Sequence, residues 1–401
     1  MTMTRMNKNI VLLVDDYVPD STKVAAKMMH ELAVELVRRG VKVTVITPSA
    51  SINTGYQCED IDGVEILRFR LGPIKNCGLI KRAINETLLP FKAILSTREF
   101  FIGRKIDFII SYSPSIFWGK FAKTLKKRFG CKIYLVLRDF FPQWVIDNGM
   151  IKPQSLAAKY FRYIERLNYD SADAIGIQSL ANIVFFKQCF GENYHTRLLY
   201  NWASPSVDDY EISFREKLGI TDKVVFFYGG NIGKAQDMAN LVRLAEKMKS
   251  NPQAHFIFLG QGDEVDLVDE LVSKNNISNV SLLPPVSQQE FKAILKEVDV
   301  GLFSLCRNHE THNFPGKILG YMVNQIPILG SVNEGNDLQF IIKQYEAGYV
   351  TVNGEDDLLF KNALSLLDDL ELRRKLGANA QRLLHDKFTV SAAADEILSI
   401  L

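Results

Sequence analysis

Short apolar runs alternate with amphipathic stretches from the start of the chain. Residues 10–14 and 41–46 are apolar enough to form buried strands, and residues 22–39 between them carry large apolar side chains three and four positions apart. That spacing predicts a helix with one buried face, which Gly40 ends. Strand, helix and strand in this order are typical of a parallel βαβ unit.

The same alternation continues through both halves of the chain. Further strands are predicted in the first half at 64–69, 107–111, 132–137, 174–178 and 197–199. In the second half they are predicted at 224–228, 255–259, 280–283, 298–303, 326–329 and 349–352. Helical segments separate them, which indicates an α/β fold built on mainly parallel, doubly wound sheets.

The length of the chain indicates more than one domain. A chain of 401 residues exceeds what a single hydrophobic core usually supports. A polar stretch follows Tyr200 before the strand pattern restarts. We therefore predict an N-terminal Rossmann-like domain at 1–205, a C-terminal Rossmann-like domain at 206–385, and a last helix at 386–401 that packs back on the first domain. Two such domains facing each other would form a cleft.

The composition is that of a soluble globular protein, with 47% hydrophobic and 23% charged residues. The five cysteines are scattered and none belongs to a Cys-x-x-Cys pair. That distribution speaks against a zinc site and against a disulfide framework. The apolar run at 10–14 is too short for a signal peptide or a membrane span, so we expect a cytoplasmic protein.

The net charge of +2 conceals a basic region at 75–132, which holds thirteen Lys or Arg residues against Glu86, Glu99 and Asp107. Apolar residues are interleaved with these cations, including those at 100–102. The mixture predicts a contact with an anionic membrane surface or another polyanion, although a solvated helical face would show the same pattern. Nucleic acid is not expected, because the aromatic residues do not repeat as in single-strand or RNA-binding modules.

A glycine-rich turn follows the predicted strand at 224–228. Its candidate ligand-binding residues are Gly230, Asn231, Gly233, Lys234 and Gln236. Glycines let backbone N–H groups approach a phosphate closely, and Lys234 and Asn231 can add side-chain contacts. The turn is therefore a candidate phosphate cradle. Gly260 and Gly262, after the next strand, form a turn suited to a base or ribose, or else a plain strand-to-helix connection.

A second candidate anion site precedes a predicted short helix at 317–323. Pro315 can open a helix without losing a hydrogen bond, and the free N–H groups of the first turn carry a partial positive charge. The ammonium group of Lys317 lies in that turn and can reach a bound phosphate, while His312 and Asn313 would line the same mouth. Because ligands of doubly wound sheets bind beyond the carboxyl ends of the strands, this segment and the glycine-rich turn should converge. Two convergent anion sites suggest a nucleotide diphosphate.

Two pairs of charged residues end predicted strands of the first domain. Asp15 and Asp16 follow the first strand, and Arg138 and Asp139 follow the strand at 132–137. Aromatic residues come directly after Asp139, so an acceptor sugar could stack there beside an ion pair. Acidic residues at strand ends are also common without any function.

Asp60 and Asp62 have the spacing of a metal-binding Asp-x-Asp motif. Gly63 follows them and predicted strands flank them, which favours a hairpin turn. We therefore predict no required metal. The first strand is not followed by Gly-x-Gly-x-x-Gly, and no Gly-x-Ser-x-Gly, His-Glu-x-x-His or Walker sequence occurs. No cofactor is therefore expected.

Three segments carry a resemblance to a known family. They read Arg-Asp-Phe-Phe-Pro at 138–142, Tyr-Gly-Gly-Asn-Ile-Gly-Lys-Ala-Gln at 228–236 and Thr-His-Asn-Phe-Pro-Gly-Lys-Ile-Leu-Gly-Tyr-Met at 311–322. With them the chain resembles, over essentially its whole length, the GT-B glycosyltransferases of family 4. Within that family these segments look like the L-fucosamine transferases of bacterial O-antigen and capsule assembly.

That resemblance implies a GT-B fold of two Rossmann-like domains and a UDP-activated N-acetyl-L-fucosamine donor. It also implies a polyprenyl-diphosphate-linked sugar as acceptor, met at the cytoplasmic face of the inner membrane. The family transfers sugar with retention of anomeric configuration, and the departing diphosphate helps to take the acceptor proton. We expect the basic region at 75–132 to hold the protein to the membrane.

Together, the residue patterns and the resemblance give each candidate a role. The catalytic groups would be Lys317, Lys234 and His312. The donor would contact Gly230, Asn231, Gly233, Gln236, Gly260, Gly262, Asn313, Phe314, Pro315, Gly316 and Gly320. The acceptor would contact Asp16, Arg138, Asp139 and Asn201.

The chain departs from the wider family in two places. Many members carry Arg and Lys where this chain has Asn231 and Gln236, and Lys234 and Lys317 would have to supply that charge. The family's paired glutamates, one of which usually contacts the ribose, would fall at two positions that carry no carboxylate, namely His312 and Gly320.

Two alternatives therefore stay open. A UDP-sugar 2-epimerase on the same fold would convert its substrate without an acceptor. A non-catalytic nucleotide-sugar-binding subunit, suggested by the missing glutamates, would bind UDP but never release it from a donor.

Overall fold

A computed structural model of the protein describes every residue except 1–7, 22, 54, 76, 114, 148, 206–209 and 310, and it leaves out the side chains of 144 and 147. The chain forms two compact units. The first comprises Met1–Gln178, Ile183–Tyr200 and Val390–Leu401, and the second comprises Ser179–Asn182 and Asn201–Thr389. The division after Tyr200 precedes the boundary predicted at 205.

The first unit alternates strands and helices. Its elements up to residue 200 are β1 (Asn9–Leu13), α1 (Val24–Arg38), β2 (Lys42–Ser49), β3 (Tyr56–Ile61), β4 (Val64–Arg70), α2 (Leu79–Ser96), β5 (Phe108–Ser113), α3 (Gly119–Phe129), β6 (Lys132–Leu137), α4 (Gln143–Asp147), α5 (Leu156–Tyr169), β7 (Ala174–Ile177), α6 (Leu180–Phe190) and β8 (Thr196–Leu198). The first three residues of α6, 180–182, belong to the second unit. The described strands form one sheet in the order β3-β4-β2-β1-β5-β6-β7-β8. The pairings are parallel except for β3 with β4.

Hydrophobic periodicity explains these elements. In α1, the apolar residues at the predicted three- and four-residue spacing, including Met29, Leu32 and Leu36, are buried. The helix was predicted to begin at residue 22, which lies outside the described residues. β5 and β6 are buried along almost their whole length, as expected for central parallel strands covered on both faces.

The hairpin predicted around Asp62 and Gly63 is confirmed. β3 and β4 pair antiparallel from Tyr56 with Phe69 to Ile61 with Val64. Asp62 and Gly63 take φ angles of 54° and 77°, the left-handed values that a tight two-residue turn requires. The Asp-x-Asp spacing therefore belongs to a turn.

The second unit repeats the alternation. Its elements are α7 (Phe214–Leu218), β9 (Val224–Asn231), α8 (Met238–Lys247), β10 (Ala254–Gln261), α9 (Val265–Lys274), β11 (Val280–Leu283), α10 (Gln288–Leu295), β12 (Val300–Ser304), α11 (Lys317–Val323), β13 (Ile328–Val332), α12 (Asp337–Tyr345), β14 (Gly348–Val352), α13 (Asp356–Asp368) and α14 (Leu370–Lys387). Its described strands form a sheet in the order β11-β10-β9-β12-β13-β14, with parallel pairings. Every strand predicted in this half overlaps an observed strand.

The C-terminal helix α15 (Val390–Leu398) belongs to the first unit. It packs against α1, where Arg39 Nη1 lies 2.6 Å from Asp395 Oδ1 and Arg39 Nη2 donates to Ser391 Oγ at 2.8 Å. Glu396 forms an ion pair with Arg197 in β8. Among the described residues, no helix combines the length and apolar character needed to cross a membrane.

Candidate functional site

The strand order of the second sheet marks a place for a ligand. β9 is the first strand of this unit and lies between β10 and β12, so the connections from β9 and β12 run in opposite directions along the sheet. In doubly wound sheets, a crevice opens at the carboxyl ends of such a strand pair. The glycine-rich turn follows β9, and the segment that precedes Lys317 follows β12. Both predicted anion sites therefore flank this point.

Hydrogen bonds join these two segments directly. The carbonyl oxygen of Ala235, in the turn after β9, accepts from the backbone N–H of Cys306 at 3.0 Å. The same oxygen is 3.0 Å from His309 Nε2, which must donate because a carbonyl can only accept. Asn231 Nδ2 donates to Gln236 Oε1 at 2.7 Å and ties the ends of the glycine-rich turn together. The predicted convergence of the two segments is thus present within the second unit.

Lys317 is the cation at this point. It begins α11, whose bounds match the predicted helix, and its Nζ lies 3.2 Å from the centroid of the Tyr228 ring. A Cβ atom placed on Gly230 would lie 3.9 Å from Lys317 Nζ. The ammonium group therefore stands over Tyr228, in the second half of β9, and beside Gly230, where the strand becomes exposed.

Burial lowers the pKa of Lys317 well below its ordinary value of 10.5. Among the described residues, no carboxylate lies within ion-pair distance of its Nζ, and Glu310 lies outside them. A cation over an aromatic face is attracted by the ring quadrupole, which offsets only part of the cost of burying the charge. An anion bound beside Gly230 would supply the missing countercharge.

Tyr321 fixes α11 on the sheet. Its hydroxyl lies 3.1 Å from the carbonyl oxygen of Phe227 in β9 and 2.9 Å from that of Leu302 in β12. Gly301 provides the space, because a Cβ atom there would lie 2.4 Å from the Tyr321 ring. These contacts set where Lys317 projects, one helical turn earlier. Sequence analysis missed Tyr321, since only the sheet order shows that α11 crosses both strands.

His312 is held by asparagines that the sequence analysis also missed. Asn182 Oδ1 accepts from the backbone N–H of His312 at 2.8 Å. Asn333 Nδ2 lies 2.8 Å from the His309 carbonyl oxygen and 3.2 Å from His312 Nδ1. The His309 carbonyl oxygen can only accept, so the Asn333 atom beside it must be the NH₂ nitrogen. The same NH₂ group then donates to His312 Nδ1, which carries no proton. Burial lowers the pKa of His312, which keeps the ring neutral with its proton on Nε2.

Two predicted donor-binding glycines have a structural explanation. A Cβ atom on Gly260 would lie 1.8 Å from the carbonyl oxygen of Gly230, and one on Gly262 would lie 2.0 Å from that of Ile232. β10 runs alongside β9 at these positions, where Gly260 pairs with Gly230. Both glycines are therefore needed for the close approach of the two strand ends, whatever ligand lies beside them.

A carboxylate near this edge was not singled out from the sequence. Glu264 follows Gly262, and its backbone N–H donates to the carbonyl oxygen of Ile232 at 3.0 Å. Its Oε2 atom is buried and has no hydrogen-bond partner among the described residues. Burial, and then the charge of Glu264, raise the pKa of Tyr228. Glu264 therefore belongs to the surroundings of Tyr228 and has an oxygen whose hydrogen-bonding capacity no described residue uses.

The other predicted donor-binding residues fall into two groups. Pro315 and Gly316 precede α11, and a Cβ atom on Gly316 would meet nothing within 4 Å. The Phe314 side chain instead turns into the core, with its ring centroid 6.3 Å from that of Phe388, so only its backbone remains for a ligand. Gly320 faces α10, where a Cβ atom would lie 3.1 Å from Leu295 Cδ1.

The remaining residues of this site are polar. Asn313 Oδ1 accepts from Asn182 Nδ2 at 3.2 Å. The Lys234 side chain is exposed, and its backbone N–H lies 3.4 Å from Asp263 Oδ1, with which it shares a weak hydrogen bond. Gly233 is buried in extended backbone between Asp263 and Asn231.

In the first unit, the predicted acceptor residues lie at the carboxyl ends of β1 and β6. Asp16 is already paired with Lys75. Arg138 is buried, and its Nη1 donates to the carbonyl oxygen of Leu199 at 2.7 Å. Burial lowers the pKa of Arg138 to about 10. This guanidinium therefore fastens the chain after β8, and of the predicted Arg138 and Asp139 pair only Asp139 is exposed.

The aromatic residue after Asp139 was expected to meet a sugar. Phe140 is instead buried, with its ring centroid 5.2 Å from that of Phe185. Asn201, predicted with the acceptor residues of the first domain, is the first residue of the long segment of the second unit. Asp15 accepts a hydrogen bond from Trp118 Nε1 at 2.8 Å, and burial raises the pKa of its carboxyl to about 6.

Acidic, histidine and cysteine side chains do not gather into a possible metal site anywhere in the described part of the chain. The groups that can hold a ligand in the second unit are the half-buried ammonium of Lys317, the exposed ammonium of Lys234, the neutral imidazole of His312 and the carboxylate of Glu264. Such a set can bind a phosphorylated, hydroxyl-bearing molecule and stabilise negative charge that develops on it.

Known families match both halves of the chain. Residues 25–180 match the family described as "Glycosyl transferase 4-like domain", and residues 211–383 match "Glycosyl transferases group 1". The probable glycosyltransferase WbjE of Pseudomonas aeruginosa is 23% identical over 348 residues, which are 84% of each chain. The putative colanic acid biosynthesis glycosyl transferase WcaI of Escherichia coli K12 is 23% identical over 327 residues, covering 76% of this chain and 78% of the relative.

Solved structures share the fold. HepE of Anabaena, crystallised in complex with UDP and glucose, superposes with a TM-score of 0.70 at 15% identity, covering 98% of this chain and 100% of HepE. At that identity the similarity establishes the architecture of two Rossmann-like domains.

Proposed function

Since this chain belongs to the GT-B glycosyltransferases, we propose that it transfers N-acetyl-L-fucosamine, or a closely related amino-deoxyhexose, from UDP to a polyprenyl-diphosphate-linked sugar. The reaction would serve O-antigen or capsule assembly at the cytoplasmic face of the inner membrane. One observation carries the proposal: Lys317 stands over Tyr228 and beside Gly230 at the carboxyl ends of β9 and β12, with no carboxylate partner among the described residues.

Two comparisons support the coarser part of this proposal, a UDP-dependent transferase of glycan biosynthesis. HepE, which shares the fold, was crystallised with UDP and glucose, so this architecture accommodates UDP. WcaI is named as a glycosyl transferase of colanic acid biosynthesis. The choice of fucosamine depends on the resemblance of the segments at 138–142, 228–236 and 311–322.

The residues of the second unit fit a transfer driven by electrostatics. As the bond between sugar and diphosphate breaks, negative charge grows on the diphosphate. Lys317 and Lys234 would stabilise that charge, and the departing oxygen would help to take the acceptor proton. His312 would offer its Nε2–H to the transferred sugar, in an orientation that Asn333 sets. Preorganised donors of this kind are worth roughly 3–4 kcal/mol of the barrier each.

Glu264 is our candidate for the ribose contact. The family glutamate is replaced by Gly320, and Glu264 has a buried oxygen without a partner among the described residues. A carboxylate accepts hydrogen bonds from two vicinal hydroxyls, as ribose presents them. We expect Glu264→Gln to raise the donor KM about tenfold, the effect of losing one charged hydrogen bond, with little change in kcat. A donor KM equal to that of the unaltered protein would remove Glu264 from this role.

The deciding experiment measures UDP release from the purified protein. UDP-N-acetyl-L-fucosamine is supplied with and without a lipid-linked N-acetylglucosamine acceptor. The mass of the lipid product is then measured by mass spectrometry. We expect acceptor-dependent release and one added amino-deoxyhexose, unchanged by EDTA because we propose that no metal takes part. Conversion of the donor without acceptor would indicate the epimerase instead. UDP binding without release from a panel of UDP-sugars would indicate the binding subunit.

A further inference from the structure

Helix α2 of the first unit carries an apolar stripe on its outer side, formed by Ile80, Ile84, Leu88, Phe91 and Leu95. The spacing of four, four, three and four residues places them on one face of the helix. Their exposed fractions run from 42% at Leu88 to 79% at Ile80. The stripe is about 22 Å long at the rise of an α-helix. Isolated exposed apolar residues are ordinary, but a continuous stripe of this length marks a contact surface.

The opposite face of α2 already supplies the core. Leu89 and Ala93 are fully buried in the first unit and pack α2 onto its core. The residues of the stripe are therefore not needed to hold the helix in place. Glu86 is also turned inward, where Arg82 Nε donates to its Oε1 at 2.8 Å. It is the sole acidic residue of α2.

Charge around the stripe is one-sided. α2, α3 and α5 lie side by side on the first unit, with α3 in contact with both of the others. They contain three, five and three Lys or Arg residues, respectively. The acidic residues of these three helices are Glu86 and Glu165, and both are buried. The three helices therefore present cations and no exposed carboxylate.

Helix α5 extends the stripe. Leu156, Tyr160 and Tyr163 lie on one face of α5 and are exposed. The hydroxyl of Tyr160 is 2.7 Å from Thr87 Oγ1 on α2, so the two faces adjoin. Tyrosine is favoured at the boundary between lipid and water, because its ring is apolar and its hydroxyl is polar.

We propose that this surface, the α2 stripe with its extension on α5, inserts into the interface of an anionic bilayer. The apolar side chains would enter the acyl boundary while the flanking cations meet lipid phosphates. The inference depends on the proposed function for its setting, a lipid-linked acceptor. The proposed membrane contact is smaller than the basic region predicted at 75–132. Phe100 and Phe101 belong to that region but are buried, so they cannot contact lipid.

Other occupants fit the surface less well. A second copy docking through the same surface would bring two groups of cations together with no carboxylate between them. A nucleic acid would satisfy the cations but would leave an aliphatic stripe facing the sugar-phosphate backbone. An anionic bilayer matches both the apolar stripe and its positive rim.

Vesicle co-sedimentation tests the proposal without donor or acceptor. The vesicles contain phosphatidylcholine alone or with phosphatidylglycerol. We expect binding to the anionic vesicles, weakened by added salt, and at least tenfold weaker binding of the double variant Ile84→Ser/Leu95→Ser. The matched control is Phe340→Ser/Leu370→Ser, which removes two apolar side chains of the second unit that are 67% and 48% exposed. The control should bind like the unaltered protein.

Several outcomes would overturn the proposal. One is equal binding of Ile84→Ser/Leu95→Ser and the unaltered protein to anionic vesicles. Another is a dimer in sedimentation equilibrium that this double variant abolishes, which would make the stripe an interface between copies. Binding of single-stranded RNA in place of vesicles would assign the cations to nucleic acid. Turnover with a short-chain, detergent-free acceptor reports on the proposed function separately, and the double variant should retain it.

Discussion

At the scale of single residues, Lys317 is the group whose placement is hardest to explain by stability. Its side chain is half-buried and its ammonium lies over the Tyr228 ring, and burial lowers its pKa. A residue selected for folding alone would have been apolar here, since the cation–π contact recovers only about 0.5–2 kcal/mol. The charge is therefore best explained by an anionic ligand beside Gly230.

Lys317→Met tests this explanation, because Met keeps most of the side-chain volume and removes the charge. We expect turnover to fall at least a hundredfold, the loss of one preorganised donor. We also expect Tm to rise by about 2–4 °C without ligand, corresponding to roughly 1 kcal/mol. Activity and thermal unfolding are compared with those of Lys343→Ala, which alters an exposed lysine of α12. Near-normal turnover would exclude Lys317 from the reaction.

The same variant has a pH signature. A lysine whose pKa is lower in the folded than in the unfolded state binds fewer protons when folded. The free energy of unfolding therefore rises with pH across the interval between the folded pKa of Lys317 and its unfolded value. The Lys317→Met variant lacks this increase in the free energy of unfolding with pH. Its Tm should therefore exceed that of the unaltered protein most at neutral pH, and the difference should shrink toward pH 10. An advantage independent of pH would mean that the buried charge is not its cause.

At the scale of elements, the glycines in the loops after β9, β10 and β12 differ in why a glycine is needed. Gly260 has a φ of +155°, and a Cβ atom there would overlap the backbone of β9. Gly316 has a φ of −59° and open space around it, so nothing in the protein itself requires a glycine there. Gly260 is required by the packing of β10 against β9. Gly316 is not required by packing, so its backbone is open to contact with a ligand.

Alanine substitutions distinguish these roles. Gly260→Ala should destabilise the protein by more than about 4 kcal/mol, because strand backbone cannot shift cheaply. Gly316→Ala should change stability by less than about 1 kcal/mol and raise the donor KM roughly tenfold if the diphosphate approaches its backbone. Thermal unfolding and donor kinetics of the two variants are measured side by side. A stable Gly260→Ala protein would contradict the close strand approach.

At the scale of the whole molecule, the chain returns to its first unit at the end. α15 buries Ala393, Ala394 and Ile397 and ties Asp395 to Arg39. Its contribution to stability should therefore be confined to the first unit, although it follows the second unit in sequence.

Deletion of residues 390–401 tests that assignment. Hydrogen exchange should accelerate by about tenfold or more in α1, β6 and β8, where α15 makes its contacts. Exchange in β9 to β14 should stay within about twofold of the full chain and serves as the internal control. Faster exchange in both units, or in the second unit alone, would place the helix elsewhere.

Much of the fold could be predicted from the sequence because its signals are local. Apolar runs and three- and four-residue spacings located the strands and helices, and the Asp62-Gly63 turn located the hairpin. Glycine and proline also marked the two segments that converge after β9 and β12. These features depend on backbone conformation within a few residues, which neighbouring side chains govern directly.

The tertiary structure decided which side chains of those segments face a ligand. Arg138, Phe140 and Phe314 looked available in sequence, yet each is buried against residues far along the chain. The tethers Asn182 and Asn333 leave no mark in the local pattern. The apolar residues of 75–132 were visible in sequence, but only the fold shows that those of α2 face outward while Phe100 and Phe101 are buried. Burial and hydrogen-bond partners depend on which distant elements the sheet order brings together, and only the folded chain determines that.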